Sequence, residues 1–137
     1  MSARIRSRSL PKPTDGELAI LRVLWQRGPS TVRQVMEDLN RSQPEESGYT
    51  TILKLLQIMT EKGLVRRDEA ERSHVYEAAR AEEETQQQLV RHLLDRAFGG
   101  AAHKLVMQAL AAQPAAASEL AEIRRLLDQM QEGRNRQ

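Results

Sequence analysis

Thr50, Thr51, Lys54 and Gln57 are the side chains whose type and spacing best suit a chemical task. If residues 49–62 are helical, Thr50, Lys54, Gln57 and Glu61 recur at i, i+4, i+7 and i+11 and share one face, flanked by Thr51, Leu53 and Ile58. Short threonine side chains let a helix approach base edges closely. Their hydroxyls donate or accept, and their methyls pack on thymine methyls. Lys54, one turn on, can reach a guanine edge or a phosphate. Just beyond, Arg66, Arg67 and Arg72 offer guanidinium forks that match phosphate oxygens. The same residues have a plainer reading, in which the polar face is only solvated and Arg66 and Arg67 pair with Glu69 and Glu71.

Other chemistries find little material. There is no Ser-His-Asp set, no metal-ligand spacing and no glycine-rich phosphate loop, and Gly99-Gly100 reads as a helix break. His74, His92 and His103 fall on three different elements with no second ligand four residues on. Cysteine is absent, which removes disulfides, thiolate metal sites and a cysteine nucleophile. The chain is therefore expected to be no enzyme, to have no catalytic or metal site, and to need no cofactor. Trp25 is expected to pack in the core rather than stack on bases.

The elements that must position these residues follow from periodicity and caps. Thr14-Asp15-Gly16-Glu17 has the form of a capping box, after which Leu18, Leu21, Leu24 and Trp25 recur at helical spacing until Gly28-Pro29. A second start at Ser30-Thr31, with Gln34 three residues after Thr31, leads a stripe of Val32, Val35, Met36 and Leu39. Residues 40–48 are polar, hold Pro44 and Gly48, and read as a loop. The third helix, about 49–62, buries Ile52, Leu55, Leu56 and Met59 and stops at Gly63. Leu64–Arg67 and Ser73–Glu77, parted by a charged tip, read as a β-hairpin.

From Ala81 the pattern is purely helical. Ala81–Phe98 carries Leu89, Leu93, Leu94, Ala97 and Phe98 on one side, and Glu82–Glu84 in its first turn complement the helix dipole. Ala101–Ala112 follows. Ser118 is expected to cap a last helix in which Leu120, Ile123, Leu127 and Met130 are spaced 3, 4 and 3, a seam too short to be stable alone. The fold expected is mainly α with a small β-hairpin wing: a winged helix-turn-helix over 14–80, then a helical region over 81–132. Residues 1–13 read as a flexible basic arm and 133–137 as a disordered tail.

Composition agrees with this reading. Of 137 residues, 39% are hydrophobic and 3% aromatic, so the core must be built from aliphatic side chains. No stretch is long and apolar enough for a membrane span, and the opening residues lack the apolar run of a signal peptide, so a cytoplasmic location is expected. Net charge is only +2, yet Arg4, Arg6, Arg8 and Lys12 crowd the first dozen residues, a hint of a polyanion partner.

Three stretches resemble the penicillinase-repressor (BlaI/MecI-like) family. They are Gly48–Leu56 continuing through Lys62-Gly63-Leu64-Val65, the Arg72-Ser73-His74-Val75-Tyr76 run, and Leu24-Trp25 followed by Thr31–Val35. Glu119–Leu127 is similar to the family's closing helix, and the likeness spans about 14–130. The resemblance implies a homodimeric repressor whose winged helices enter successive major grooves of a palindromic operator with a TACA/TGTA-type dyad. Tyr49, Thr50, Thr51, Lys54 and Gln57 would face the groove, and Arg66, Arg67, Arg72 and Ser73 the phosphates. Leu89, Leu93, Leu105, Leu120, Ile123, Leu127 and Met130 would form the dimer. Induction in the family implies a protease or sensor partner, but Leu105–Ala109 lacks the Asn-Phe step at which such repressors are cut, and Ile58 stands where members often carry an arginine. The rival readings are a winged-helix adaptor that binds protein, and a ligand-responsive winged-helix regulator of another family.

Overall fold

Thr14 and Thr31 open the first two helices by the same device. In the computed structural model, which describes residues 11–70 and 72–136, the Thr14 hydroxyl accepts from Glu17 N (3.2 Å) while Thr14 N donates to Glu17 Oε1 (2.9 Å). Thr31 and Gln34 repeat the exchange at 3.2 and 3.0 Å. Each pair satisfies donors that a helix start otherwise leaves open. Helix α1 spans Asp15–Arg27, the short strand β1 Ser30–Thr31, and α2 Val32–Ser42. Helix α3 spans Tyr49–Lys62. It ends where Gly63 adopts a left-handed φ of 82°, which lets Leu64 N reach back to Met59 O at 2.9 Å. A side chain at 63 would be strained there, so glycine is what stops the helix cleanly.

The wing is β2, Val65–Asp68, and β3, Val75–Ala78, antiparallel with Val65 opposite Ala78 and Arg67 opposite Tyr76. β3 also pairs with β1 through Ser30–Tyr76 and Thr31–Val75, giving a three-stranded sheet of order β1-β3-β2. Three boundaries differ from the expectation. Ser30-Thr31 is a strand as well as a helix start, because its backbone pairs with a segment more than forty residues away. Helix α2 runs three residues into the expected loop, and the rest of the loop is held by Asn40, whose amide brackets Ser47 through bonds of 2.8 and 3.1 Å. The hairpin strands sit one to two residues later than their apolar residues suggest.

The core of this part lies between three helices and the sheet. Ile20, Leu21 and Leu24 of α1, Val35 and Leu39 of α2, and Ile52, Leu56 and Met59 of α3 are buried together with Val65 and Tyr76. Leu55 and Met36 are only partly buried against this cluster. Trp25 packs on it too, and its indole N–H donates to Arg80 O at 3.0 Å. Glu17, 2% exposed, accepts two bonds from the Lys62 ammonium, 2.8 Å to Oε2 and 3.0 Å to Oε1, and so ties the start of α1 to the end of α3.

Burial acts to raise the Glu17 pKa, but the hydrogen bond from Lys62, the Thr14 backbone N–H and the nearby ammonium charge outweigh it and hold the carboxyl below its ordinary 4.5. A native value below the unfolded one contributes stability that is present above pH 4.5 and drains away as pH falls through the lowered native value. Melts from about pH 7 to about pH 3 should show an acid-side loss of stability that is shallower in Glu17→Gln. Lys62→Ala, which strands a buried carboxylate, should cost about 2–3 kcal/mol at neutral pH.

Three further helices follow: α4 over Glu82–Ala97, α5 over Ala102–Ala112 and α6 over Ala117–Asn135. The chain divides into two compact units, Met1–Val90 and Arg91–Gln137, the division falling within α4. Helix α6 begins at Ala117, before the expected cap at Ser118, because Glu119 supplies the cap by accepting from Ala116 N at 2.8 Å. It runs on to Asn135, since the polar residues after Met130 are good helix formers apart from Gly133. The expected basic arm falls mostly in residues 1–10, outside the described residues. Among the described residues no helix is long and apolar enough to cross a membrane.

Candidate nucleic-acid interface

Burial of Ile52, Leu56 and Met59 fixes which way α3 faces. Thr50, Thr51, Lys54, Gln57 and Glu61 are all exposed, and Tyr49, at the start of the helix, is 46% exposed. The polar face expected of this helix is therefore open to a partner. Gly48 precedes the helix without any side-chain cap, so the first-turn N–H groups add a positive end to that face.

Beside α3 a half-open cavity of about 540 Å³ runs between its outer face, the first turn of α2 and the wing. It brings together Tyr49 and Gln57 of α3 with Arg67, Arg72 and Ser73 of the wing. Thr50, Thr51, Lys54 and Arg66 do not line it. Arg33 and His74, neither of them expected at an interface, do, as does Thr31, the cap of α2. Arg33 could have been singled out as the exposed cation directly after an apolar helix start, on the side away from Val32, Val35 and Leu39.

The wing arginines differ from one another. Arg67 Nε donates to Glu69 Oε2 at 2.9 Å, as one plain reading of the wing expects. Arg66 departs from that reading, because strand pairing sets it opposite Glu77. Its Nε lies 3.4 Å from Glu77 Oε1 and its Nη1 3.5 Å from Ala79 O. Glu71, the other carboxylate considered, lies outside the described residues. Arg72 and Arg33 make no ion pair among the described residues. The Glu69 carboxylate foremost, with the Tyr76 oxygen after it, holds Arg67 above its already high ordinary pKa. The Tyr76 hydroxyl is itself buried beside this guanidinium, which can only donate, so among the described residues no acceptor takes the hydroxyl proton.

The residues expected in a dimer sit in α4, α5 and α6. Leu89, Leu105 and Ile123 are half-buried, while Leu93, Leu120, Leu127 and Met130 are exposed, the last two at 57% and 61%. Among the described residues neither α5 nor α6 has any buried side chain. Val106, Met107 and Leu126 add to the exposed apolar surface.

Comparison with known proteins places this arrangement. No curated protein matches the chain. Among solved structures, it is similar to a MarR family protein from Bacillus stearothermophilus, with 16% identity, 96% of this chain and 84% of that one covered, and a TM-score of 0.51. It also aligns with the monomeric form of BlaI from Bacillus licheniformis in complex with the blaP half-operator, at 22% identity and a TM-score of 0.47, covering 56% of this chain and 90% of that one. The MarR protein shares the winged-helix fold, mainly helical with a small antiparallel sheet. The family model described as penicillinase repressor matches residues 13–129, most of the length, and the chain belongs to the penicillinase repressor family.

Proposed function

We infer that the protein is a homodimeric transcriptional repressor that binds a palindromic duplex operator, with 14–80 as its DNA-binding domain and 81–132 as its dimerisation region. DNA-binding repression follows from the family. The observation that carries the finer reading is the outward polar face of α3 beside a cationic wing, on a helix whose other face is locked into the core. Thr50, Thr51 and Lys54 read base edges in the major groove, and Tyr49 and Gln57 border them. Arg72 and Ser73 hold the phosphate backbone. Arg66 and Arg67 join them only by releasing Glu77 and Glu69.

Dimerisation rests on the second unit. Helices with no fully buried side chain among the described residues are marginal in water, and the exposed leucines and methionines of α5 and α6 need cover. A second copy supplies it, and two-fold symmetry in the protein calls for a palindrome in the DNA. A cytoplasmic location belongs to the same proposal. Catalysis has no part in it, since the family is one of transcriptional regulators.

Selecting bound sequences from a random duplex pool tests the reading directly, and a dyad-symmetric site is the expected outcome. On that site Lys54→Ala should weaken binding by about 1–3 kcal/mol and leave the melting temperature nearly unchanged. Failure to retard any duplex at low salt would favour the protein-binding adaptor instead.

A further inference from the structure

The cavity between α3, the start of α2 and the wing has a composition that a duplex alone does not require. Arg33, Arg67 and Arg72 line it, and among the described residues no carboxylate does. Two of these guanidinium groups, Arg33 and Arg72, have no ion pair among the described residues. The first turns of two helices, α2 of eleven residues and α3 of fourteen, also border it through Val32 and Tyr49. The buried Tyr76 hydroxyl, whose proton lacks an acceptor, is a lining residue as well. The remaining wall is mixed: Val32, Leu53 and the Tyr49 ring give it an apolar part, beside the polar Thr31, Gln57, Ser73 and His74. At about 540 Å³ the space suits a small organic molecule.

We propose that this cavity is a preformed seat for a phosphate monoester with a planar apolar body, and that filling it excludes the duplex. A dianionic phosphate neutralises Arg33 and Arg72 and accepts from their N–H groups. Its third terminal oxygen remains for Ser73 and for the Tyr76 proton, while the ester oxygen carries the apolar body. The apolar body lies against Leu53 and the Tyr49 ring. Because Tyr49, Leu53 and Gln57 belong to the outer side of α3, an occupant covers surface that DNA needs, and the two ligands compete. The phosphate chemistry has two sources, a free ester or the DNA backbone itself, and the experiment separates them. Competition rests on the repressor reading, while binding of the ester to the free protein does not.

The test uses the full-length protein with phenyl phosphate, inorganic phosphate and sulfate at one fixed ionic strength. Calorimetry on the free protein should show phenyl phosphate binding several-fold tighter than inorganic phosphate, because only the ester reaches the apolar wall. Arg72→Gln and Arg33→Gln should each weaken the ester about tenfold. Tyr76→Phe should also weaken it while leaving the protein folded, since among the described residues nothing accepts the hydroxyl proton it removes. Against a fluorescent operator duplex, phenyl phosphate should displace DNA at concentrations where sulfate of equal charge does not. Duplex binding that phenyl phosphate disturbs no more than sulfate overturns the inference and leaves the repressor reading standing. Tight ester binding by a protein that retards no duplex overturns the repressor reading and keeps the seat. Equal affinity for inorganic phosphate and phenyl phosphate rejects the organic ester as its occupant.

Discussion

Leu127→Asp is expected to hold the chain as a monomer and to lower operator affinity by at least about a hundredfold. Leu127 lies in the middle of the seam of Leu120, Ile123, Leu127 and Met130, and its side chain is more than half exposed in the single chain. Under the dimer reading that exposed surface is covered by a second copy. A carboxylate there must be desolvated without a partner for the copies to associate, a cost that exceeds what one leucine contributes. Each monomer then meets only one half-site and forfeits the high effective concentration that tethering gives the second. Sedimentation velocity reads the mass, and duplex retardation reads the affinity. An unchanged dimer in sedimentation removes Leu127 from the interface.

Leu56→Ala carries the second large effect, on stability rather than association. Leu56 is fully buried between α1, α2 and the sheet, so truncation loses transfer energy and leaves a cavity, about 2–5 kcal/mol together. For a domain this size that lowers the melting temperature by about 10 °C or more. The contrast with Lys54→Ala, two residues away on the opposite side of α3, is the sharpest check on which way the helix faces. If Leu56→Ala melted like the parent protein, the polar face would not be the outward one.

What the sequence revealed and what it hid divide along one physical line. Thr14 with Glu17 and Thr31 with Gln34 are three residues apart, and a local hydrogen-bond pattern leaves a local mark. The stripe Ile52, Leu56, Met59 is equally legible, because 3.6-residue periodicity shows directly in the order of residue types. Contacts across long separations leave no such mark. Ser30-Thr31 looks like the start of a helix because two residues cannot display alternation, and their strand character exists only once β3 arrives beside them. Glu17 already has a role in the capping box, and nothing near it announces an ion pair with Lys62, forty-five positions on. The site follows the same rule. The outward face of α3 was readable, whereas Arg33 joined it only when α2 and the wing met.

The carboxylate partners of Arg66 and Arg67 bear on how tightly the protein grips DNA of any sequence. A guanidinium that leaves Glu77 or Glu69 for a phosphate releases one condensed cation from the duplex, yet exposes a carboxylate that gathers cations in turn. The net ion release at Arg66 or Arg67 therefore falls short of one. A protein built this way holds random duplex more loosely than its tally of arginines suggests, and its affinity declines more gently as salt rises. Such a protein leaves wrong sites quickly, and under the proposed reading discrimination then falls to Thr50, Thr51 and Lys54.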